Sequence, residues 1–580
     1  MPDQYDFEKL LKDMDRQAFN IYGKLLGLVV SYPHYSVHFK HIQGSPGASP
    51  ASFCQVDVSG KYLQIPEWAQ TSSARITAAE DYILRTFNEG VAHHAQQNRG
   101  EEGSGSFQTV SMPQQVLKRN IVQISGNSLS LAFRISLPGS LKKKVLYEEI
   151  IQMFNFELPA ILLFIKEQIA KKNGLKRHCE CVEDMLTLQD ALSSKGLVAF
   201  VGDGSLLPRE SGVSDLPARY PVVPFVAPRK LAVVVDLPNA GKIGGMGIRP
   251  GITTLIGGGY HGKSTLLTAL TKSIYPHIPG DGREQVVANR NSVQVCAEDG
   301  RSIKGLDISS FFSTLPQDSD PGNFFTENAS GSTSEAATVI EYVLAGAKLL
   351  LIDEDSSAAN FLYRDRHLRE LIPEDPIIPL FDRVRELYDN YGVSTLIIAS
   401  GSSNYFGVAD HVIAMREYLP VDMTARAKAL NLQAEHPPGK PLSITDRRIL
   451  SRENFNPEYI NKRLRKAVPV RIKPLRGQER EIIEYGMDRI DVRCLHGIVD
   501  PDQIFTIGYF LLLARRLHLH SGGCSPTVLA GKLLTLVREK GLGILQPPKS
   551  APVFFAQINM LEVAGALNRL RSLSIHADEE

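Results

Sequence analysis

The sequence has few cysteines, no long hydrophobic run and almost no net charge. Six cysteines scattered over 580 residues exclude a disulfide framework and favour a reducing compartment. No apolar run approaches the roughly 18 residues of a membrane span, which predicts a protein without a membrane partner and excludes a transporter. The 64 Lys+Arg against 63 Asp+Glu leave a net charge of +1. A uniformly basic protein is thereby excluded, so any nucleic-acid surface must be local.

The length and composition predict a folded chain of several domains. At about 100–200 residues per domain, 580 residues correspond to roughly three or four domains. A Pro-rich passage at 216–228 and a polar Pro-Pro-Gly passage at 431–440 indicate boundaries. We therefore predict an α+β N-terminal domain (1–222), a doubly wound α/β domain (223–430) and a mixed C-terminal domain (431–580).

The N-terminal third shows loops, short strands and one long helix. Polar, Gly-rich passages at 43–52 and 96–106 predict loops, and short apolar runs predict strands at 121–124, 129–137 and 197–201. Helical spacing predicts a helix over 147–171, kinked by Pro159. The first residues mix acids with bases, unlike an Arg-rich mitochondrial presequence.

A glycine-rich loop after the apolar strand 253–256 carries the clearest chemical signal. It reads G-x4-G-K-S and precedes a helical pattern, so its backbone N–H groups and the helix N-terminus would bind phosphate. Lys263 would reach the β and γ oxygens, and Ser264 would coordinate magnesium. Tyr260 and His261 would either shape the loop or contact nucleotide. The predicted nucleotide-binding residues are Gly257, Gly258, Gly259, Tyr260, His261, Gly262, Lys263, Ser264 and Thr265.

An apolar strand at 348–354 ends in two carboxylates. In a parallel sheet such a strand delivers its acids to the edge where ligands bind. Asp353 would hold the metal ion, and Glu354, together with Lys263, would be catalytic, with Glu354 polarising the attacking water. A solvated acidic strand end is the alternative, and the phosphate loop argues against it.

A Ser-Gly segment at the start of a predicted helix lies between these two motifs. Ser330, Gly331 and Ser332 would present hydroxyl and amide groups to an anion, although an ordinary Ser N-cap gives the same pattern. The order of phosphate loop, Ser-Gly helix and acidic strand is the arrangement of ABC ATPases. Here 330–332 resemble the ABC signature, which completes a nucleotide site from the opposite subunit, and 356–360 take the place of the D-loop.

The resemblance extends beyond the superfamily. Segments 244–248, 257–267, 279–284, 297–301, 329–337 and 352–360, with LVAFVGDGSLLPRESG at 197–212 and ALNRLR at 566–571, are similar to the predicted ABC-class ATPase family of soluble proteins. The diverged positions resemble a kinetoplastid mitochondrial member associated with RNA editing. That resemblance implies a mitochondrial location, with the cytoplasm as the alternative, and RNA-processing proteins as partners. It also implies ATP and Mg2+ as cofactors.

Two sensor positions of the ABC pattern are altered. The strand at 395–399 ends in serines where most ABC ATPases carry a switch histidine, so Ser400 and Ser402 are switch candidates. Glu298 is a candidate counterpart of the Q-loop glutamine. One phosphate loop and one signature per chain predict a two-fold homodimer that holds two ATP molecules.

A basic segment lies in the C-terminal third. Between 462 and 480 stand eight Lys or Arg and one acid, a net charge of +7 (8 − 1). Alternation around 468–473 predicts a strand with one basic face, and the family resemblance implies an RNA-binding pore through the dimer. The alternatives are a solvated surface, or a nucleotide-switched protein scaffold without RNA. The predicted RNA-binding residues are Lys462, Arg463, Arg465, Lys466, Arg471 and Lys473.

One local cysteine cluster is a weak zinc candidate. His178, Cys179 and Cys181 lie close together in the sequence, but no second Cys/His pair stands at zinc-finger spacing. The role of this cluster stays open.

Overall fold

The computed structural model describes residues 2–577 apart from 49, 98, 127, 141, 172, 317–318, 400–403, 431–440, 456–459, 462–465, 468–469, 474–481, 487, 522 and 549. Contacts divide the chain into one unit of 1–183 with 546–557, and a second of 184–545 with 558–580. The first unit ends before the predicted boundary near 222, and the second holds both the predicted ATPase and C-terminal regions. The three-domain division therefore stays a prediction.

The first unit is built on a six-stranded sheet. Its strands run in the order β1-β2-β3-β6-β4, with β5 also paired to β6. Alternate residues Leu129, Leu131, Phe133 and Ile135 are buried, so period-2 patterning faces one side of β6 to the core. The elements are α1 (Gln4–Met14), β1 (Val29–Ser31), β2 (Tyr35–His41), β3 (Ser52–Ser59), α2 (Gly60–Leu63), α3 (Ser73–His94), β4 (Ser106–Gln108), β5 (Val122–Ser125), β6 (Ser128–Ser136), α4 (Tyr147–Ile151) and α5 (Leu158–Ala170).

The predicted long helix is present, with a π-helical segment inside it. Helix α4 continues through the π-helical Gln152–Glu157 into α5, and Pro159 lies in the first turn of α5. Since proline has no N–H to donate, the ladder loses a bond there, and the wider π turn precedes it in place of a simple kink. Helix α6 (Asn173–Ser194) follows and contains the division between the units.

The second unit contains a six-stranded, mostly parallel sheet in the order β12-β15-β16-β10-β17-β18, in which only β18 is antiparallel to its neighbour. An antiparallel sheet has the order β11-β7-β9-β8. These sheets confirm the predicted α/β fold class. The elements as far as residue 430 are β7 (Ala199–Gly202), β8 (Ala232–Leu237), β9 (Gly241–Ile248), β10 (Ile252–Ile256), α7 (Lys263–Lys272), β11 (Val286–Ala288), β12 (Ser292–Val295), β13 (Ile303–Leu306), β14 (Phe324–Thr326), α8 (Gly331–Leu344), β15 (Leu349–Asp353), α9 (Ala359–Leu362), α10 (Arg366–Leu371), α11 (Leu380–Tyr391), β16 (Ser394–Ile398), β17 (His411–Arg416), β18 (Leu419–Asp422) and α12 (Thr424–Lys428).

A hydrophobic cluster of this unit joins the parallel sheet to helix α7 and to the antiparallel sheet. Leu255, Leu351 and Leu396, from three adjacent strands, pack in one cluster with Leu266 and Leu270 of α7. All five residues of β15 and of β16 are buried. Strands covered on both faces read as continuous apolar runs, which is why the sequence pattern located them correctly.

The remaining elements complete the second unit. The strand β19 pairs with the terminal β25, so the chain returns to the start of this region at its end. The strand β22 confirms the strand predicted near 468–473. Lys462, Arg463 and Arg465 lie outside the described residues, and only the backbone is described for Lys466, Arg471 and Lys473. The elements are β19 (Arg448–Leu450), β20 (Ile460–Asn461), β21 (Lys466–Ala467), β22 (Val470–Lys473), β23 (Ile482–Tyr485), β24 (Asp488–Asp491), α13 (Pro501–Arg516), α14 (Pro526–Lys540), α15 (Met560–Asn568) and β25 (Ile575–Ala577).

Candidate functional site

The predicted phosphate loop and the predicted acids share one edge of the parallel sheet. Strand β16 lies between β10 and β15, and Ile398 of β16 is in register with both Leu255 and Asp353. At about 4.8 Å per strand, the loop and the acids are therefore separated by roughly 10 Å. The carboxyl edge of a parallel sheet is the usual ligand side, and this gap suits a phosphate with its metal ion.

The phosphate loop (257–264) closes around the ammonium group of Lys263. Its Nζ donates to the carbonyl oxygens of Gly257 at 2.7 Å and of Gly258 at 2.9 Å. Gly257 has a φ of 144°, and a Cβ there would lie 2.5 Å from the carbonyl oxygen of Met415. Only glycine fits such a close backbone approach. The loop thus holds a positive charge and the N-terminus of α7 at one point, which is an anion-binding arrangement.

The side chains of the loop differ in their contacts and in their exposure to solvent. His261 Nδ1 accepts a hydrogen bond from the backbone N–H of Glu417 at 2.8 Å, so this residue shapes the loop. Tyr260 is 98% exposed and has a φ of 62°. Tyr418 packs beside Gly262, where a Cβ would lie 3.3 Å from its ring. Neither Glu417 nor Tyr418 was predicted, because the turn between β17 and β18 is distant in sequence.

The remaining predicted residues of the loop lie at its ends. Gly259 has open space around its Cα. Ser264 is exposed in the first turn of α7, with Thr265 beside it. A hydroxyl at this position is available to a metal ion bound with the phosphates.

The two carboxylates occupy different environments at the end of β15. Asp353 is buried and accepts a hydrogen bond from the backbone N–H of Asp355 at 3.2 Å. Glu354 is half-buried and begins a 3-10 turn. Burial, with the negative charges of Glu354 and Glu335, raises the pKa of Tyr405. Tyr405 is thus a buried neutral neighbour of the acids, and no local sequence pattern predicts it.

The Ser-Gly segment (330–332) begins helix α8 and is joined to the turn after the acids. Ser330 accepts a hydrogen bond from the backbone N–H of Thr333 at 3.4 Å, so it does act as an N-cap. Ser332 donates to Oδ1 of Asn360 at 2.6 Å. In the loop after β12, Ala297 donates its backbone N–H to the carbonyl of Ser356 at 3.0 Å. The structure therefore brings the predicted signature, D-loop and post-β12 segments together.

A buried carboxyl reinforces that junction. Glu335 accepts a hydrogen bond from the backbone N–H of Ala358 at 2.8 Å. Burial raises the pKa of Glu335 to about 7, so the carboxyl is only about half ionised near neutral pH. Glu298 is tied to the same helix, since its backbone N–H donates to Ser334 Oγ at 2.8 Å.

The carboxylate of Glu298, a predicted switch candidate, forms a buried ion pair with Arg569. The Arg569 Nε donates to Glu298 Oε2 at 3.0 Å. Burial acts to raise the pKa of Glu298, but the charges of Arg569 and Arg301 outweigh it and lower the pKa. Arg571 donates to the carbonyl of Gly300 at 2.7 Å. The C-terminal segment 566–571 therefore fixes the loop that follows β12.

The predicted switch serines and the His178 cluster complete the set of predicted site residues. Ser400 and Ser402 lie outside the described residues. In the first unit, His178 Nε2 lies 3.0 Å from Asp81 Oδ2, and the Cys179 thiol donates to the carbonyl of Arg75 at 3.7 Å. His178 thus has a buried carboxylate as its partner.

Three family models match successive parts of the chain. A P-loop domain of the ABC ATPase class matches residues 171–448, an N-terminal domain of ABC-class ATPases matches 4–165, and the MRB1590 C-terminal domain matches 475–576. The P-loop match includes every predicted phosphate, magnesium and signature residue. No helix in the described part of the chain is long and apolar enough to span a bilayer.

Individual relatives cover only part of the chain. An uncharacterized protein of Methanocaldococcus jannaschii is 31% identical over 211 residues, which is 32% of this chain and 46% of its own length. The solved cbiO1 of Clostridium perfringens, part of the ABC transporter complex cbiONQ, is 16% identical, with a TM-score of 0.23, over 35% of this chain and 91% of its own. An ATP-binding cassette of an ABC transporter in its ADP conformation is 14% identical, with a TM-score of 0.21, over 32% and 86%.

Proposed function

These domains support membership of an ABC-class ATPase family, and from this premise we propose that the chain binds ATP with magnesium and hydrolyses it as a homodimer. We also propose that it uses the ATPase cycle to bind or remodel RNA. The observation that carries the ATPase part is the sheet edge. There the Lys263 loop and the Asp353-Glu354 pair flank one intervening strand. The RNA part rests on the basic segment and is a separate step.

The residues at this edge fit a magnesium-bound nucleotide. The glycine-rich loop would let phosphate oxygens approach its backbone N–H groups, and Lys263 supplies the positive charge. Magnesium would be held by Ser264 and Asp353 and would neutralise charge on the phosphates. Glu354 would accept a proton from the attacking water.

Each chain contributes one phosphate loop and one signature segment, which favours a dimer. In such a dimer Lys263 of one subunit and Ser330–Ser332 of its partner hold the same ATP. The hydrogen bonds among Ser332, Asn360 and the loop after β12 then join the signature to the acids of its own subunit. Closure on ATP would be transmitted through these contacts to the C-terminal segment that holds Glu298.

Mixing two inactive variants tests the shared site. Lys263→Ala inactivates the phosphate loop of its own chain by removing the ammonium group. Ser330→Arg inactivates the signature segment by replacing the small hydroxyl side chain with a large charged one. Each alone is expected to lose ATPase activity. A mixed dimer rebuilds one complete site from Lys263 of one chain and Ser330 of the other. ATPase activity should therefore reappear on mixing the two variants after subunit exchange, measured as phosphate release.

The control for this experiment is Ser330→Thr, which keeps a hydroxyl N-cap and should retain activity alone. Mixing two Lys263→Ala preparations should recover nothing. If activity stays absent from the exchanged mixture while heterodimers are demonstrated by mass spectrometry, the shared site is wrong.

The support for RNA is a local excess of basic residues in the sequence. The segment 462–480 carries +7 (8 − 1) in a chain of net charge +1. Part of it forms β22, whose Arg471 is opposite Glu484 of β23, followed by β24 with the exposed Arg489. A segment with this excess of basic residues suits the phosphate backbone of single-stranded RNA.

Charge reversal tests this surface. In the variant with Glu at Lys462, Arg463, Arg465 and Lys466, single-stranded RNA affinity should fall, and its dependence on salt should weaken. If all four contact phosphates, the slope of log affinity against log salt should lose about 3 units, since each single-strand contact contributes roughly 0.7. Binding is measured by fluorescence anisotropy across a salt series.

The matched control reverses Lys142, Lys143 and Lys144, a smaller basic group in the first unit. This variant should keep both the RNA affinity and the slope. Unchanged RNA binding by the four-site variant would contradict the RNA surface, and would favour the alternative of an ATP-switched protein scaffold.

A further inference from the structure

Two cysteines and a histidine from distant parts of the second unit meet at one point. Each of Cys296, Cys494 and His496 offers one ligand atom, and the three atoms lie within 4.8 Å of one another. Both cysteines are free thiols. We propose that these three side chains bind a zinc ion, a site that lies beyond the proposed ATPase function.

The spacing and ligand types suit zinc. Two sulfurs bound at about 2.3 Å in a tetrahedron stand roughly 3.8 Å apart, so the observed cluster needs only small side-chain adjustments. Thiolate and imidazole together are the donor set that zinc prefers, whereas magnesium and calcium select oxygen. A cysteine pair with one histidine leaves one position for water or a further ligand.

The hydrogen bonding of His496 is a second, independent observation that points to a ligand. Nε2 of His496 is buried and has no hydrogen-bond partner among the described residues. A buried nitrogen without a partner is unfavourable, because the desolvation of the polar atom is not compensated. A metal ion bound by the imidazole would satisfy this atom, or would fix the ring through its other nitrogen.

The ligands come from ordered segments, so the site is held by the fold. Cys296 is buried and directly follows β12. Cys494 and His496 lie between β24 and α13, where the backbone N–H of Leu495 bonds Val492 and that of Ile498 bonds Leu495. Gly497 lies directly against the carboxyl of Glu562 on α15. Only a residue without a side chain fits there, which anchors the loop that carries two of the ligands.

A cavity borders the cluster at Cys494. Cys494 lines a cavity of about 560 Å³, together with Glu298, Asp491 and Arg493. Zinc can therefore enter after folding, and a water can occupy the fourth position. The bound ion would tie the loop after β12, which contacts the signature helix through Glu298 and Ser334, to the C-terminal region.

Metal analysis of the full chain tests the proposal. The protein is exposed to Zn²⁺ alone, desalted, and assayed for zinc by mass spectrometry. We expect about one zinc per chain, and loss of nearly all of it in Cys494→Ser and in His496→Gln. The matched control is Cys524→Ser, another free cysteine of the same unit that lies outside the cluster, which should keep its zinc.

Cobalt substitution of the unaltered protein gives a reading that does not depend on any variant folding. Loading with Co²⁺ alone should produce a sulfur-to-cobalt charge-transfer band and the strong visible bands of tetrahedral cobalt. Absence of zinc and of these bands in the unaltered protein would overturn the proposal. So would equal zinc in the Cys494→Ser variant, or a Cys296–Cys494 disulfide as the species isolated under reducing conditions. ATPase activity enters none of these readings, so failure of the zinc site and failure of the ATPase assignment are distinguishable.

Discussion

ATP turnover by the Glu354→Gln variant is expected to fall by about 100- to 10,000-fold, the usual range for loss of a general base. The amide has nearly the shape of the carboxylate but cannot take a proton from the attacking water. ATP affinity should therefore change little, because Lys263 and the loop backbone are untouched. Phosphate release measures turnover, and equilibrium binding of a fluorescent ATP analogue measures affinity.

A second consequence follows from slow hydrolysis. If ATP closes the dimer and hydrolysis opens it, the Glu354→Gln protein should accumulate as a dimer when ATP is added, as seen by sedimentation. The neighbouring Asp355 is exposed, and Asp355→Asn is the matched loss of one acid, with turnover expected near that of the unaltered protein. Undiminished turnover in Glu354→Gln would remove Glu354 from the catalytic role.

The Lys263→Ala variant is expected to lose ATP binding itself. A hydrogen bond to a charged group contributes about 1.5–3 kcal/mol, which corresponds to a fall in affinity of roughly 10- to 150-fold. The true loss should lie toward the upper end, because the ammonium also organises the carbonyls of Gly257 and Gly258. Calorimetric titration with ATP and magnesium gives the affinity directly.

The control for this change lies in the same helix. Lys272 is in the last turn of α7 and bonds Asp215 at 2.7 Å near the surface. Partly exposed pairs of this kind contribute little, so Lys272→Ala should bind ATP normally. Normal ATP affinity in Lys263→Ala would show that the loop is not the phosphate site, whatever the behaviour of the other variants.

The sequence predicted those parts of the site whose chemistry is local. The phosphate loop, the acid pair and the helix start at Ser330 each occupy a few consecutive residues, and the strands before them are apolar over their whole length. Spacing and hydrophobicity therefore located them without knowledge of the fold. The α/β class followed from the same alternation of strands and helices.

The parts that the sequence did not reveal depend on long-range pairing. Nothing local shows that β16 lies between β10 and β15, since strand order is set by packing of the whole sheet. Arg569 and Glu298 are 271 positions apart. The cysteines that are neighbours in the sequence lie beside His178, whereas the cluster with metal-site spacing joins Cys296 to Cys494.

The Arg569–Glu298 ion pair also constrains how the two regions that it joins can evolve. A chain that stopped before codon 569, or that acquired an unrelated C-terminal region by recombination, would leave the buried Glu298 carboxylate without its hydrogen-bonded counter-charge. Loss of one partner from a buried pair costs about 3–5 kcal/mol, a large share of the roughly 5–15 kcal/mol that keeps a domain folded. Selection should therefore keep the nucleotide-binding region and helix α15 together in one chain. Substitutions at positions 298 and 569 should occur together among descendants.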